Sequence, residues 1–143
     1  MKKRTKALVG AVLAIGLIAP AAGAMATSTY IGFSVNLPSL QQGVLAASQI
    51  KTTRAAAGEL KVSYIGGGYT LNARQCRLDH ASGPGSTPYR VSCGTEKLDI
   101  PAGAYRSLPS GSLVASGKRA WLELHNEAWA FVRVQAKGTW RAN

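Results

Sequence analysis

Residues 119–137 run Arg119-Ala120-Trp121-Leu122-Glu123-Leu124-His125-Asn126-Glu127-Ala128-Trp129-Ala130-Phe131-Val132-Arg133-Val134-Gln135-Ala136-Lys137. In the first half, Ala120, Leu122 and Leu124 alternate with Arg119, Trp121, Glu123 and His125. In the second half, Ala130, Val132, Val134 and Ala136 alternate with Trp129, Phe131, Arg133, Gln135 and Lys137. A period of two marks a strand with one buried face. Asn126 and Glu127 separate the runs by the length of a tight turn. The pattern predicts an antiparallel hairpin with its aliphatic faces in the core. The opposite face then gathers Trp121, Trp129 and Phe131 with Arg119, Arg133 and Lys137. Flat aromatics beside cations can stack on sugar rings and pair with anionic groups. These six residues are the expected binding platform. The competing expectation is that the aromatics are covered by a loop or by the N-terminal segment, because large aromatics are mostly buried.

The same period recurs upstream. Ile31, Phe33, Val35 and Leu37 alternate with Tyr30, Gly32, Ser34 and Asn36, and Pro38 ends the run. Residues 39–47 read as a loop or short helix, followed by a strand over 48–54. Residues 59–65 alternate again, with Leu60, Val62 and Tyr64 opposite Lys61 and Ser63. Gly66-Gly67-Gly68 is too permissive for a regular element and reads as a turn or bulge. No Lys-Ser/Thr follows it, so it is not a phosphate loop. Strands are expected over 69–78, 89–93 and 96–100, with a short apolar one at 113–115. Residues 102–106 lead to a loop with Pro109 and Gly111. No internal repeat or linker interrupts the series. Short strands separated by turn signals predict a mostly β chain: a single small antiparallel β-sandwich or barrel.

Cys76 and Cys93 are the only cysteines, with sixteen residues between them. An even count in an exported chain reads as a disulfide. It would close the hairpin whose tip, 77–90, is rich in Gly, Pro and Ser. A closed loop of that length is worth about 3 kcal/mol in the chain-entropy model. A restricted polar tip is also the kind of loop that protein inhibitors present.

Export is read from the N-terminus. Met1-Lys2-Lys3-Arg4-Thr5-Lys6 is basic, residues 7–19 are apolar, and Pro20 leads into small residues ending Ala24-Met25-Ala26. That is the three-part layout of a signal peptide. Residues 1–26 are expected to be cleaved before Thr27, with Ala22-Gly23-Ala24 as the other small-residue site. An uncleaved anchor is the alternative, but the strongly apolar part ends at Ala19, short of a bilayer span. Residues 27–143 are then the secreted β domain, with no integral membrane span. The absence of an Asn-x-Ser/Thr sequon and the Ala/Gly/Arg-rich usage suggest a bacterial exported protein.

The chain has 17 Lys+Arg and 6 Asp+Glu. Four of the bases lie in the leader, so residues 27–143 hold 13 bases against 6 acids, a net +7. Such a balance favours anionic partners. The bases are scattered rather than clustered, so nucleic acid is not expected. Catalytic signals are sparse. Asp79 and His80 are adjacent and would point to opposite faces. Glu123 and Glu127 flank one turn, and a glycosidase needs carboxylates across a cleft. Glu123 and His125 share a face and form the one acid–base pairing. Two histidines are too few for a usual metal site, and no metal or cofactor is expected. The sequence thus predicts a non-enzymatic protein recognising a cell-wall or other anionic or carbohydrate polymer. The alternative is an inhibitor or antibacterial toxin that grips an extracellular protein through the Cys76–Cys93 loop.

Overall fold

The computed structural model describes residues 28–78, 83–87, 92–110, 113–127 and 130–143. The expected signal peptide, Trp129, and much of the 77–90 tip lie outside the described residues. The described residues form nine strands and one 3-10 turn. The strands are β1 (Ile31–Leu37), β2 (Gly43–Ile50), β3 (Gly58–Ile65), β4 (Leu71–Arg77), β5 (Ser92–Cys93), β6 (Lys97–Ile100), β7 (Tyr105–Leu108), β8 (Arg119–Asn126) and β9 (Val134–Arg141). They build two antiparallel sheets. One is ordered β1-β9-β3-β7; the other is β2-β8-β4-β5, with β6 also on β4.

Alternation explains most of this. Phe33, Val35 and Leu37 of β1 are buried, while Gly32, Ser34 and Asn36 are exposed. In β9, Val134, Ala136 and Trp140 face inward. They meet Ala120, Leu122 and Leu124 of β8 and Leu71 and Ala73 of β4 in one core shared by the two sheets. Every strand and the whole core cluster lie within residues 31–142, so this segment carries its own core. Lys51 is buried at one end, where its ammonium donates to the carbonyls of Ala56 and Ala142. Burial pushes its pKa down.

The structure departs from the sequence reading in several places. Residues 119–137 are not a hairpin: β8 pairs with β2 and β4, and β9 pairs with β1 and β3 in the other sheet. The connection is longer than two residues because local bonds turn the chain out of the sheet. Ala130 N donates to Glu127 O, and the Asn126 amide donates to Pro38 O and Val132 O. Val132, expected inward, is consequently exposed. Second, strand β2 begins at Gly43, where a loop or helix was expected. Cross-strand pairing to β8 outweighs an ambiguous local pattern. Third, Tyr105–Leu108 is a strand, pairing with β3, where none was expected. Fourth, residues 113–115 form no strand.

The Cys76–Cys93 disulfide is present and joins directly paired residues of β4 and β5. Beyond it, Leu45 of β2 exchanges hydrogen bonds with Gly85 and Ser86. Strand β8 lies between β2 and β4. From Ala120 to Asn126, β8 is buried on both faces.

Candidate functional site

The five expected platform residues that are described, Arg119, Trp121, Phe131, Arg133 and Lys137, do not share a surface. Trp121 is buried on the outer side of β8, opposite Cys76 and Ser48. Arg119 lies at the start of β8, where its guanidinium donates to Ser48 Oγ at 2.9 Å. Phe131 and Arg133 are exposed in the β8–β9 connection, and Lys137 is exposed on β9 in the other sheet. Trp129 lies outside the described residues. The cause is the crossing between sheets: two strands in different layers cannot present one continuous face.

An aromatic and cationic face does exist, on the outside of the four-stranded sheet. Cross-strand register sets it up. Glu59 lies opposite Arg141 and Ser107, Lys61 opposite Thr139 and Tyr105, and Tyr64 opposite Lys137. Strand β1 adds Gly32 beside Thr139 and Ser34 beside Lys137. Tyr30, Tyr64 and Tyr105 are 40%, 47% and 50% exposed. Tyr64 was expected inward with Leu60 and Val62. A register shift between Val62 and Tyr64 inserts Ser63 as an extra residue and turns Tyr64 outward. Ser63 Oγ donates to Lys137 O at 3.0 Å and holds the bulge.

The polar groups on this face are organised. The Tyr30 hydroxyl donates to Glu59 Oε2, and Arg141 Nε donates to the same oxygen at 2.6 Å. The Arg141 guanidinium also sits 4.7 Å from the Tyr30 ring centre, and Lys137 Nζ sits 5.7 Å from that of Tyr64. Both distances are within the range of a cation–π contact. The Tyr30 hydroxyl, aided by Tyr105 and Arg141, holds the Glu59 carboxyl below its usual pKa against the opposing effect of burial. Burial, then the bond to Glu59, raises the Tyr30 phenol. Glu59 is thus neutralised within the face, which leaves Lys61 and Lys137 as outward charges. A shallow hollow of about 430 Å³ lies among Tyr30, Lys61, Tyr105 and Thr139. Gly32 keeps its neighbourhood open: a side chain there would meet nothing within 4 Å.

A second polar cluster is buried on the outer side of the five-stranded sheet. Glu123 is fully buried. Arg74 donates to its two oxygens, from Nε at 2.8 Å and from Nη2 at 3.4 Å. His125 Nε2 lies 3.0 Å from Oε1, close but poorly aligned for a hydrogen bond. His125 Nδ1 faces the Gln41 carbonyl at 3.0 Å, so that nitrogen carries a proton. Burial would raise the Glu123 carboxyl, but His125 and Arg74 outweigh it and hold it at about 2. Gly43 makes the space. A Cβ there would fall 2.2 Å from Glu123 Oε1.

The Glu123–His125 pairing read from sequence is therefore real in geometry. Both carboxylate oxygens accept from Arg74, which suits a structural polar cluster better than a free base. Glu123 Oε2 also lies 3.2 Å and 3.6 Å from the sulfurs of Cys76 and Cys93. Those sulfurs share a disulfide, so they have no S–H to donate and no thiolate to offer a metal.

Of the outer-face residues, only Lys137 belonged to the expected platform. Tyr30 and Lys61 were legible as outward-facing from alternation. Tyr64, Tyr105, Glu59 and Arg141 were not, because a bulge, an unexpected strand and long-range pairing place them. Comparison with protein-family models, curated proteins and solved structures finds no match for this chain.

Proposed function

We propose that this is a small, basic, exported, non-enzymatic binding protein. Its ligand is an anionic or carbohydrate polymer of the cell envelope, and its binding surface is the outer face of the four-stranded sheet. The observation that carries this reading is the hollow lined by Tyr30, Tyr105 and Lys61, with Tyr64, Lys137 and Arg141 displayed along the same sheet face. Exposed rings offer stacking surfaces for sugars, and the two outward lysines offer charge to acidic groups. The disulfide is compatible with an oxidising compartment. The inhibitor alternative gains less support: Gly85 and Ser86 are bonded to β2, so that part of the Cys76–Cys93 loop lies against the sheet.

The test is co-sedimentation of residues 28–143, oxidised, with isolated cell-wall sacculi. It should be run at low salt and at about 0.5 M salt, where charges are screened beyond about 4 Å. Tyr64→Ala with Tyr105→Ala should weaken binding roughly tenfold at both salts, with the melting temperature preserved. Lys61→Gln with Lys137→Gln should weaken it mainly at low salt. Wild-type binding by both variants would remove this face as the site.

A further inference from the structure

Phe131 and Val132, in the β8–β9 connection, are 71% and 51% exposed, and Leu40, in the β1–β2 connection, is 55% exposed. Single exposed apolar side chains are ordinary, but several on adjoining loops form a patch that needs an explanation. These loops adjoin because they are bonded together. Leu40 N donates to Ala130 O at 3.0 Å. The buried Asn126 amide donates to Pro38 O at 3.3 Å and to Val132 O at 3.0 Å. Leu40 and Gln41 both adopt left-handed backbone, with φ of 59° and 58°. Residues with a Cβ rarely adopt it, and such strain is retained where the surroundings enforce it. The fold thus holds a leucine in an unfavourable conformation with its side chain in water.

Residues 38–42 and 130–133 carry a single charge, that of Arg133, which is exposed beside Val132. The acid in the same connection, Glu127, is turned back to accept from the Thr70 hydroxyl at 2.8 Å. Glu96, which shares a hollow with Gln41, lies 3.8 Å from His125. Residues 27–143 as a whole carry a net +7. Apolar side chains projecting from loops, with a cation at their base, match a bilayer interface. There the acyl boundary takes the apolar groups, and anionic head groups take the cation.

We propose that Leu40, Phe131 and Val132 form a docking tip for an anionic lipid surface, with Arg133 paired to head groups. The tip is separate from the tyrosine face and does not depend on it.

The experiment is sedimentation of oxidised residues 28–143 with vesicles of phosphatidylcholine alone, or with about one-third phosphatidylglycerol, at 0.1 and 0.5 M salt. The protein should partition into the anionic vesicles and retain part of that binding at high salt, since the apolar contribution is not screened. Phe131→Ser with Val132→Ser should lower partition about tenfold or more. Leu40→Asn should lower it too. Asparagine tolerates left-handed backbone, so that variant stays folded and decides the matter if the double variant does not. No partition into anionic vesicles would overturn the proposal. So would unchanged partition by both variants, which would mean charge attraction alone. A dimer in sedimentation velocity that the double variant abolishes, without lipid partition, would instead make the patch a contact between copies.

Discussion

Glu123 is a carboxylate removed from water and held by Arg74 and His125. A buried pair of this kind adds little over an apolar substitute, but removing one partner leaves uncompensated charge. Glu123→Gln should therefore cost about 3–5 kcal/mol, seen as a lower urea midpoint at pH 7. The pH dependence follows from the depressed carboxyl, at about 2 against an ordinary 4.5. A depressed carboxyl stabilises fully above its unfolded value and loses that contribution as pH falls through its folded one. The gap between wild type and Glu123→Gln should be constant above about pH 5 and shrink between about pH 4.5 and pH 2. An equal gap at pH 2.5 and pH 7 would show that the charge is not what matters. At this scale the sequence was partly legible. It put Glu123 and His125 on one face. It could not supply Arg74, which arrives from β4, or Gly43, whose missing side chain leaves the carboxylate its room.

Strand β9 is the central element of the four-stranded sheet, flanked by β1 and β3. Its Gly138 lies where both neighbours crowd in: a Cβ there would come 2.3 Å from Lys61 O and 2.7 Å from Phe33 Cζ. The first contact is backbone and cannot swing away. Gly138→Ala should cost about 1–3 kcal/mol by overpacking, read by thermal or urea denaturation. A neutral result would mean that β3 moves freely against β9. Alternation was enough to find β1 and β3 and the inward Val134 and Ala136. It failed at 119–137 because two strands of matching period read alike whether they pair with each other or with strands elsewhere. It failed at Tyr64 because one inserted residue reverses every later side chain, and no local composition marks Ser63 as the extra one.

Across the whole molecule, the chain passes repeatedly between layers, and neighbours in each sheet are mostly distant in sequence. The disulfide acts on this scale through the unfolded chain, where it removes conformations rather than adding native contacts. Replacing Cys76 and Cys93 by Ala should lower stability by about 3 kcal/mol, measured as a shift in urea midpoint. A much larger loss would mean that the pairing of β5 with β4 needs the bridge to stay in place. The net +7 of residues 27–143 also belongs to this scale. On the proposed reading it draws the molecule to anionic surfaces without selecting one, and selection falls to where the cations and exposed rings are displayed.

Period, breakers and cysteine spacing are local properties, and they determined the strand-rich class, most strand positions and the Cys76–Cys93 bridge. Which strands became neighbours depends on the burial of whole faces against partners far along the chain. Only the tertiary structure could bury Trp121 between Cys76 and Ser48, bring Tyr30, Tyr64 and Tyr105 onto one face, and fasten Leu40 to Ala130.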